Sequence, residues 1–418
     1  MKAAKIVVLG GSGVATPALA AALAEIPGRT RPIELVLVGR SAEKLEKVTG
    51  VARLMVAQPS PGGSDPLLTI TCATDAAAAL SGAEIVLNQI RVGGLEARAF
   101  DESFPHEFGL PGEETVGPGG FANASRTIPT VLEYARLIEQ ICPAATLLTF
   151  ANPSSLVHYA ITRATRISTI GLCDGPVSLR QQVAFAAGVA PAEIWMDYVG
   201  MHHFGWVVGA WKDRQDVLPR VLENASIAAP EVDPAITRAI GAVPGPYFNY
   251  LYHPEKMLAK KMGKRTRAEE LLDLQDELLA EFETALAAGQ KPAGLARRKA
   301  KWYQAIIAPV MVALAEKRTQ TFIVNVTNGQ VIPWLPADAI IEVPVLFNAG
   351  RVTPLAVGPV PPEVKALIQV NCAYEMLAVE AIIERDRAKA LRALLLNPII
   401  RTYAQAAQTL EKAWAHAP

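Results

Sequence analysis

The stretch Lys5-Ile6-Val7-Val8-Leu9-Gly10-Gly11-Ser12-Gly13-Val14-Ala15-Thr16-Pro17 decides how the rest of the chain is read. Lys5 to Leu9 is a short apolar run. A glycine turn follows, and then a helical pattern from about Thr16 to Ala24, with Pro17 in the first turn, where its missing N–H is no loss. Strand, glycine turn and helix in that order open a nucleotide-binding fold. Glycines let the backbone approach a pyrophosphate, and the free N–H groups at the helix start present a positive dipole end to it. The usual six-residue dinucleotide fingerprint is incomplete, because its final glycine would fall on Thr16. Gly10, Gly11, Ser12 and Gly13 are therefore candidate cofactor contacts, with a plain tight turn as the alternative.

Further along, apolar runs at Leu35 to Val38, Leu68 to Cys72, Ile85 to Ile90, Thr146 to Phe150 and Ile170 to Cys173 alternate with polar or helical segments. That alternation predicts an α/β fold with a Rossmann-like, doubly wound and mostly parallel sheet. After about residue 190 the character changes. Strands are expected at Trp195 to His203 and Trp206 to Ala210, then helices at about Arg267 to Leu286 and Leu295 to Glu316. Strands at Phe322 to Val326 and Ile340 to Val343 precede helices near Pro362 to Arg385 and Ala388 to Leu395. The expected division is a dinucleotide-binding domain over 1–190 and an α+β domain over 191–418 for substrate, metal and subunit contacts.

The 418 residues fit two to three domains at roughly 150 residues each. Apolar residues make up 51% and charged residues 19%, which excludes a disordered chain. Forty Lys plus Arg balance forty Asp plus Glu, so no basic field exists to capture nucleic acid or an anionic membrane. A small-molecule partner is expected. Cys72, Cys142, Cys173 and Cys372 are too scattered for a disulfide scaffold and read as reduced thiols of a cytoplasmic protein. The early lysines and late small residues of the N-terminus resemble a secretory leader, but the glycine turn interrupts its apolar stretch. Ala305 to Ala315, taken as the longest helical apolar run, is far short of the ~20 residues that span a bilayer.

At the end of the second strand, where an acid would bind the ribose 2′-hydroxyl of NAD, the chain has Gly39-Arg40-Ser41. Arg40 suits a 2′-phosphate, which keeps NADP open beside a solvated loop arginine. Cys173 falls at the C-terminal end of an expected parallel strand, where ligands bind, although a lone cysteine is also a common core residue. His202 and His203 lie some thirty positions on. In extended chain their side chains would point to opposite faces, so one of the two is expected at any given site. Cysteine plus histidine makes an open metal site without selecting the metal. Tyr247, Tyr250 and Tyr252 offer phenols that act as a base when suitably tuned, or as core.

Together these motifs resemble glycoside hydrolase family 4, the NAD- and manganese-dependent glycosidases, and especially its 6-phospho-β-glucosidase branch. The resemblance covers nearly the whole chain. It is carried by the glycine loop through Pro17, by Asn88 to Arg98 with Asp101-Glu102, and by Gly112-Glu113-Glu114-Thr115 with Gly117-Pro118-Gly119-Gly120. Arg126 to Pro129, Asn152-Pro153, Gly171-Leu172-Cys173, and His203 with Trp206 continue it, and Val324-Asn325 to Pro336, Ile341-Glu342-Val343 and Asn397-Pro398 complete it. The resemblance implies NAD and manganese or another divalent metal as cofactors, a 6-phosphorylated or related glycoside as substrate, and a homodimer or homotetramer. It implies oxidation of the sugar at carbon 3, proton loss at carbon 2, elimination, water addition and re-reduction, distinct from two-carboxylate hydrolysis. Cys173 and His203 then match the metal ligands, and Tyr247 the base, with Tyr250 next. Arg98 matches the arginine that holds the sugar phosphate, and Asn152, Arg267 and Glu114 match groups of the substrate site.

The chain departs from the pattern in places. Asp174 stands where the phospho-β-glucosidases carry asparagine, and is similar to the general acid of the phospho-α-glucosidases. His202 replaces asparagine, Glu113 replaces glutamine, Ala151 replaces threonine, and Gly39-Arg40 replaces the acid of the NAD site. Two other readings stand beside the glycosidase: a net NAD(P)-dependent dehydrogenase, and a nucleotide or sugar sensor without turnover.

Overall fold

The computed structural model describes residues 2–56 and 67–415. The opening apolar run is strand β1 (Ala4–Leu9), and it pairs in parallel with β2 (Ile33–Val38), which pairs with β3 (Leu68–Ala73). On its other side β1 pairs with β4 (Ile85–Asn88), followed by β5 (Thr146–Thr149) and β6 (Ser168–Gly171), all parallel. Crossovers run through α1 (Pro17–Glu25), α2 (Ala42–Val56), α3 (Ala76–Leu80), α4 (Gly94–Ser103), α5 (Gly117–Ile141) and α6 (Ser154–Ala164), and α7 (Gly175–Ala187) follows β6. Ile6, Val7 and Val8 are all fully buried, as unbroken apolar strands are when helices cover both faces. The order β3-β2-β1-β4-β5-β6 reverses direction beside β1, and the crevice outside the carboxyl ends of the strands at that point is where such sheets bind ligands.

The sheet does not stop at β6. The second half supplies β7 (Trp195–Met201), β8 (Phe204–Lys212), β9 (Gln215–Asp216), β10 (Val243–Pro244), β11 (Gln320–Thr327), β12 (Ile340–Asn348) and β13 (Arg351–Pro354). β11 lies antiparallel to β6 through Asn325 opposite Gly171, and β12 bridges β11 to β7, so among the described residues one 13-stranded sheet runs through both halves. The helix α8 (Arg267–Ala288) starts at a capping box made by Thr266 and Glu269, and packs on α2 and α4. Three helices near the C-terminus are α9 (Pro362–Glu384), α10 (Arg387–Leu396) and α11 (Tyr403–Ala415). They return to the first half: α9 packs on α5 and α6, and α11 on α5. Tyr374, Val379, Leu394 and Leu410 share one apolar cluster with Val7, Val86 and Leu147.

Three expectations are corrected. Residues 295–316 are not one helix. A 3-10 turn over Ala293–Arg298 ends at Lys299, whose backbone is left-handed at φ 51°, and a wide π-turn, Tyr303–Ile307, leads into a helix over Ala308–Ala315. The basic run Arg297 to Lys299 has no apolar stripe to bury, and Arg298 instead lies over the Trp302 ring at 4.9 Å. Second, α9, and not Ala305 to Ala315, is the long apolar helix. By length and composition it could cross a bilayer, but half of its apolar window is buried inside the protein, and it carries buried Asn371 and Glu375. Third, His202 and His203 are not extended chain. They are the two-residue turn between β7 and β8, where Met201 pairs with Phe204.

Candidate active site

A cavity of about 470 Å³ opens at the carboxyl ends of the parallel strands, lined by Gly10, Ser12, Gly13, Gln89, Asn152 and Tyr303 among others. The glycines of the loop divide their work. Gly10 has φ 85°, and a Cβ there would sit 2.9 Å from the carbonyl oxygen of Gln89. A Cβ on Gly11 would meet Val38 at 2.8 Å, so Gly11 seats the turn on β2 and does not line the cavity. Gly13 does line it, and its Cβ would find no protein atom closer than 3.5 Å. The space above Gly13 is thus open on the ligand side, which is the cradle a pyrophosphate needs. Thr16, in place of the fingerprint's last glycine, accepts a hydrogen bond from Gln89 Nε2 at 3.1 Å, and Tyr303 Oη donates to Gln89 Oε1 at 2.9 Å. This triad fixes the cavity floor. The residues present fit a dinucleotide.

Next to this cavity the strand ends converge on a second group. Cys173 lies two residues past β6, buried, with the Gly175 N–H donating to Sγ at 3.3 Å. Its sulfur and one imidazole nitrogen from each of His202 and His203 lie within 4.8 Å of one another. His203 holds φ 61°, a left-handed conformation that is strained for a residue with a Cβ. Its ring is sandwiched between His202 (centroids 3.8 Å apart) and Tyr247 (3.6 Å). Thr115 Oγ1 donates to Glu113 at 3.2 Å and lies 2.9 Å from His203 Nδ1. A hydroxyl has one proton to give, so the second bond must be Nδ1–H donating to Thr115, which leaves Nε2 as a free lone pair. Burial, helped by the neighbouring His202, holds His203 neutral, and burial pushes the Cys173 thiol up, with Glu342 and Asp174 adding to it. A buried sulfur and neutral imidazole nitrogen facing each other fit a divalent metal, whose charge would favour the thiolate.

The rest of the expected site is a charge network. Glu114 is buried and pairs with Arg91 and, at 3.0 Å, with Arg98; Arg98 also donates to Glu102 at 2.7 Å. Burial pushes Glu114 up, and Arg91 and Arg98 more than offset it, so its carboxyl is held below the usual range. The Asn152 amide adds a hydrogen bond to the same carboxylate. Glu102 Oε2 accepts the Ala268 N–H at 2.9 Å, which ties α4 to the start of α8. Glu113 sits among Thr115, Tyr250 and Lys261, receiving the Tyr250 hydroxyl at 3.3 Å. Burial raises Tyr247, Tyr250 and Asp174, with Glu113 the next contributor for both tyrosines.

The structure therefore brings Cys173, His203 and Tyr247 together, with Asp174 next in chain, and gathers Arg98, Glu114 and Asn152 in one network. Tyr250 is turned to Glu113 and Lys261, with its ring 6.2 Å from that of Tyr247. Arg267 is not brought in: it is half-exposed and pairs with Glu270 at 2.7 Å. Arg40 lines the far end of the cofactor cavity. The sequence names Thr115 and Glu342 only as members of family motifs; their places, Thr115 against His203 and the Glu342 carboxyl behind Cys173, come from the structure. Glu342 is fully buried, accepts from Tyr198 at 2.7 Å and Asn325 at 2.8 Å, and is pushed up to about 7 by burial. An acid in the middle of an apolar strand, Ile340-Ile341-Glu342-Val343, was the available signal.

Comparison with known proteins places this fold and site. The model described as family 4 glycosyl hydrolase matches residues 5–189, and that described as its C-terminal domain matches residues 198–400. A relative from Bacillus subtilis (strain 168), named "Probable 6-phospho-beta-glucosidase", is 30% identical over 98% of this chain and 96% of its own length. The phospho-alpha-glucosidase PagL of Clostridium acetobutylicum is 27% identical over 95% and 94%. A solved structure of the 6-phospho-beta glucosidase from Thermotoga maritima, with manganese, NAD+ and glucose-6-phosphate, superposes with a TM-score of 0.86 at 27% identity, covering 99% of this chain and 98% of that one. The chain belongs to family 4 of the glycosyl hydrolases, as its motifs led one to expect.

Proposed function

We propose that this chain is a glycosidase that cleaves O-glycosides of 6-phosphorylated sugars, with 6-phospho-β-glucosides first among them, using a nicotinamide dinucleotide and a divalent metal. The observation that carries the reading is the convergence of Cys173, His203 and Tyr247 beside a dinucleotide cavity. The dinucleotide supplies reversible hydride transfer at carbon 3 of the sugar, and manganese or another divalent ion supplies positive charge beside carbons 2 and 3.

The chain's own residues do the rest. Cys173 Sγ and His203 Nε2 are the metal-facing donors. Tyr247, stacked on His203, removes the proton from carbon 2. Burial and Glu113 disfavour its phenolate, so it acts as a base only beside positive charge. Asp174, whose carboxyl burial pushes up, serves as the acid for the departing aglycone. Arg98 and Asn152 orient the sugar, with Glu102 and Glu114 holding the Arg98 fork in place. Tyr250 is the second candidate for the base, and Arg267 would have to leave Glu270 to reach a ligand. On this reading residues 1–190 carry the cofactor loop and much of the sugar-facing network, and 191–418 bring His203 and Tyr247. A homodimer or homotetramer and a cytoplasmic setting belong to the same proposal; the four unpaired cysteines support a reducing compartment.

The test is release of p-nitrophenol from α- and β-glucosides with and without a 6-phosphate, in the presence of manganese, reductant and NAD or NADP. Turnover of the 6-phospho-β-glucoside that stops when cofactor or metal is omitted is expected. No release from any member would overturn the glycosidase reading, and preference for the α-anomer would transfer the assignment to the branch that Asp174 resembles.

A further inference from the structure

We infer that the adenosine end of the cavity is built for a 2′-phosphate, so that this chain takes NADP in preference to NAD. The inference rests on the nicotinamide-cofactor reading above and deepens it. In a doubly wound sheet the ribose of the adenosine half lies at the end of β2, where a carboxylate accepts its two hydroxyls. Here that position is closed to a carboxylate. A Cβ on Gly39 would sit 2.9 Å from Ser12 Cβ and 3.0 Å from Ser12 Oγ, so no aspartate or glutamate fits at 39 without displacing the loop. The next residue is Arg40. Its side chain lines the cavity and has no hydrogen-bond or ion-pair partner among the described residues.

Lys44, one helical turn further along α2, lines the same end, held by a hydrogen bond of 3.0 Å to Gln275 Oε1. The carboxylates that act on it, Asp276 and Glu96, stand outside the lining. Arg91 and Arg298 add two cations towards the sugar side. The cavity thus has four cationic side chains in its lining, of which Arg91 is paired with Glu114, and, among the described residues, no carboxylate in that lining. NAD brings only the two charges of its pyrophosphate, whereas NADP adds a phosphate near-dianion at the ribose. An unpaired guanidinium is the group that binds such a phosphate through charge-assisted, forked hydrogen bonds.

Calorimetric titration of the metal-free protein with NADP+, NAD+, 2′,5′-ADP and 5′-AMP tests this without any turnover. The expected result is a Kd for NADP+ about 10- to 100-fold below that for NAD+, with the same ordering for the two fragments. Arg40→Gln should remove most of that difference while leaving NAD+ affinity nearly unchanged, and Arg40→Asp should reverse the preference. Equal affinity for the two dinucleotides, or an Arg40→Gln variant that weakens both alike, overturns the inference while leaving the glycosidase reading intact. Absence of binding by either dinucleotide overturns the cofactor reading and this inference together. Tight NADP+ binding with no glycoside turnover would sink the glycosidase proposal alone.

Discussion

At the residue scale, function turns on which nitrogen of His203 is free. The proton of Thr115 goes to Glu113, so His203 gives its own Nδ1 proton to Thr115 and keeps Nε2 as a lone pair. Thr115→Val retains the shape and removes the relay. Metal affinity should fall about 10- to 100-fold, the usual cost of losing a partner that orients a ligand histidine. Titration with cobalt(II), followed by its thiolate charge-transfer band, measures this, and an unchanged affinity would show that His203 needs no such partner. Cys173→Ser should abolish the band itself while leaving dinucleotide affinity in place; a variant that keeps full metal-dependent turnover would remove Cys173 from the site.

The elements were legible in the sequence to the extent that their reasons are local. The unbroken apolar runs of β1 and β2 and the helical pattern of α1 come from burial under neighbouring elements, so their limits are nearly where the pattern puts them. Cys173, His203 and Tyr247 were found through motifs that carry chemistry. What could not be read is what depends on partners far along the chain. The β7–β8 turn puts two histidines on one side because its backbone turns left-handed at His203, and no rule of alternation survives a turn. The break at Lys299 and the burial of Glu342 likewise answer to neighbours from other segments. That turn is fixed from behind: a Cβ on Gly205 would run into the Tyr198 hydroxyl, which donates to Glu342. Gly205→Ala should therefore cost about 1–3 kcal/mol of stability through overpacking and also weaken cobalt binding, because the turn must shift. Thermal melts and the cobalt titration report the two effects, and intact metal affinity would separate the turn from its support.

For the molecule as a whole, buried acids and imidazoles set opposing slopes with pH. Burial holds Glu375 at about 8 and Glu342 at about 7, against ~4.3 in an unfolded chain. Between ~4.3 and those values the folded state binds more protons than the unfolded one, so the stability they contribute declines across that window and is gone once pH has risen through 7 to 8. Burial presses His158 and His202 to about 3, and below ~6.5 the unfolded chain takes up protons that the folded state refuses. Between ~4.3 and ~6.5 the two acids and the two histidines oppose each other, and above ~6.5 the acids act alone, so thermal stability of the metal-free protein should fall from about pH 6.5 to 8. Glu375→Gln, which keeps amide contacts available to Ser155 and Asn371, should flatten the alkaline side; a melt series with an unchanged slope would count against a protonated Glu375. The halves should also prove inseparable. Residues 1–190 alone would leave the β6 edge bare and strip α9 and α11 from α5 and α6. Such a fragment is expected to aggregate, and a monodisperse, cooperatively melting fragment would refute that.

The shared sheet also has a consequence for the order in which the protein is made. A ribosome delivers about 5–20 residues each second, so the opening half emerges on the order of ten seconds before β11, β12 and the last helices that close it. During that wait β6 offers an unsatisfied edge, and the apolar faces of α5 and α6 stand in water. Completion of the cofactor half is thereby deferred until translation nears its end, and a nascent chain of this kind is one that holding chaperones are suited to shield.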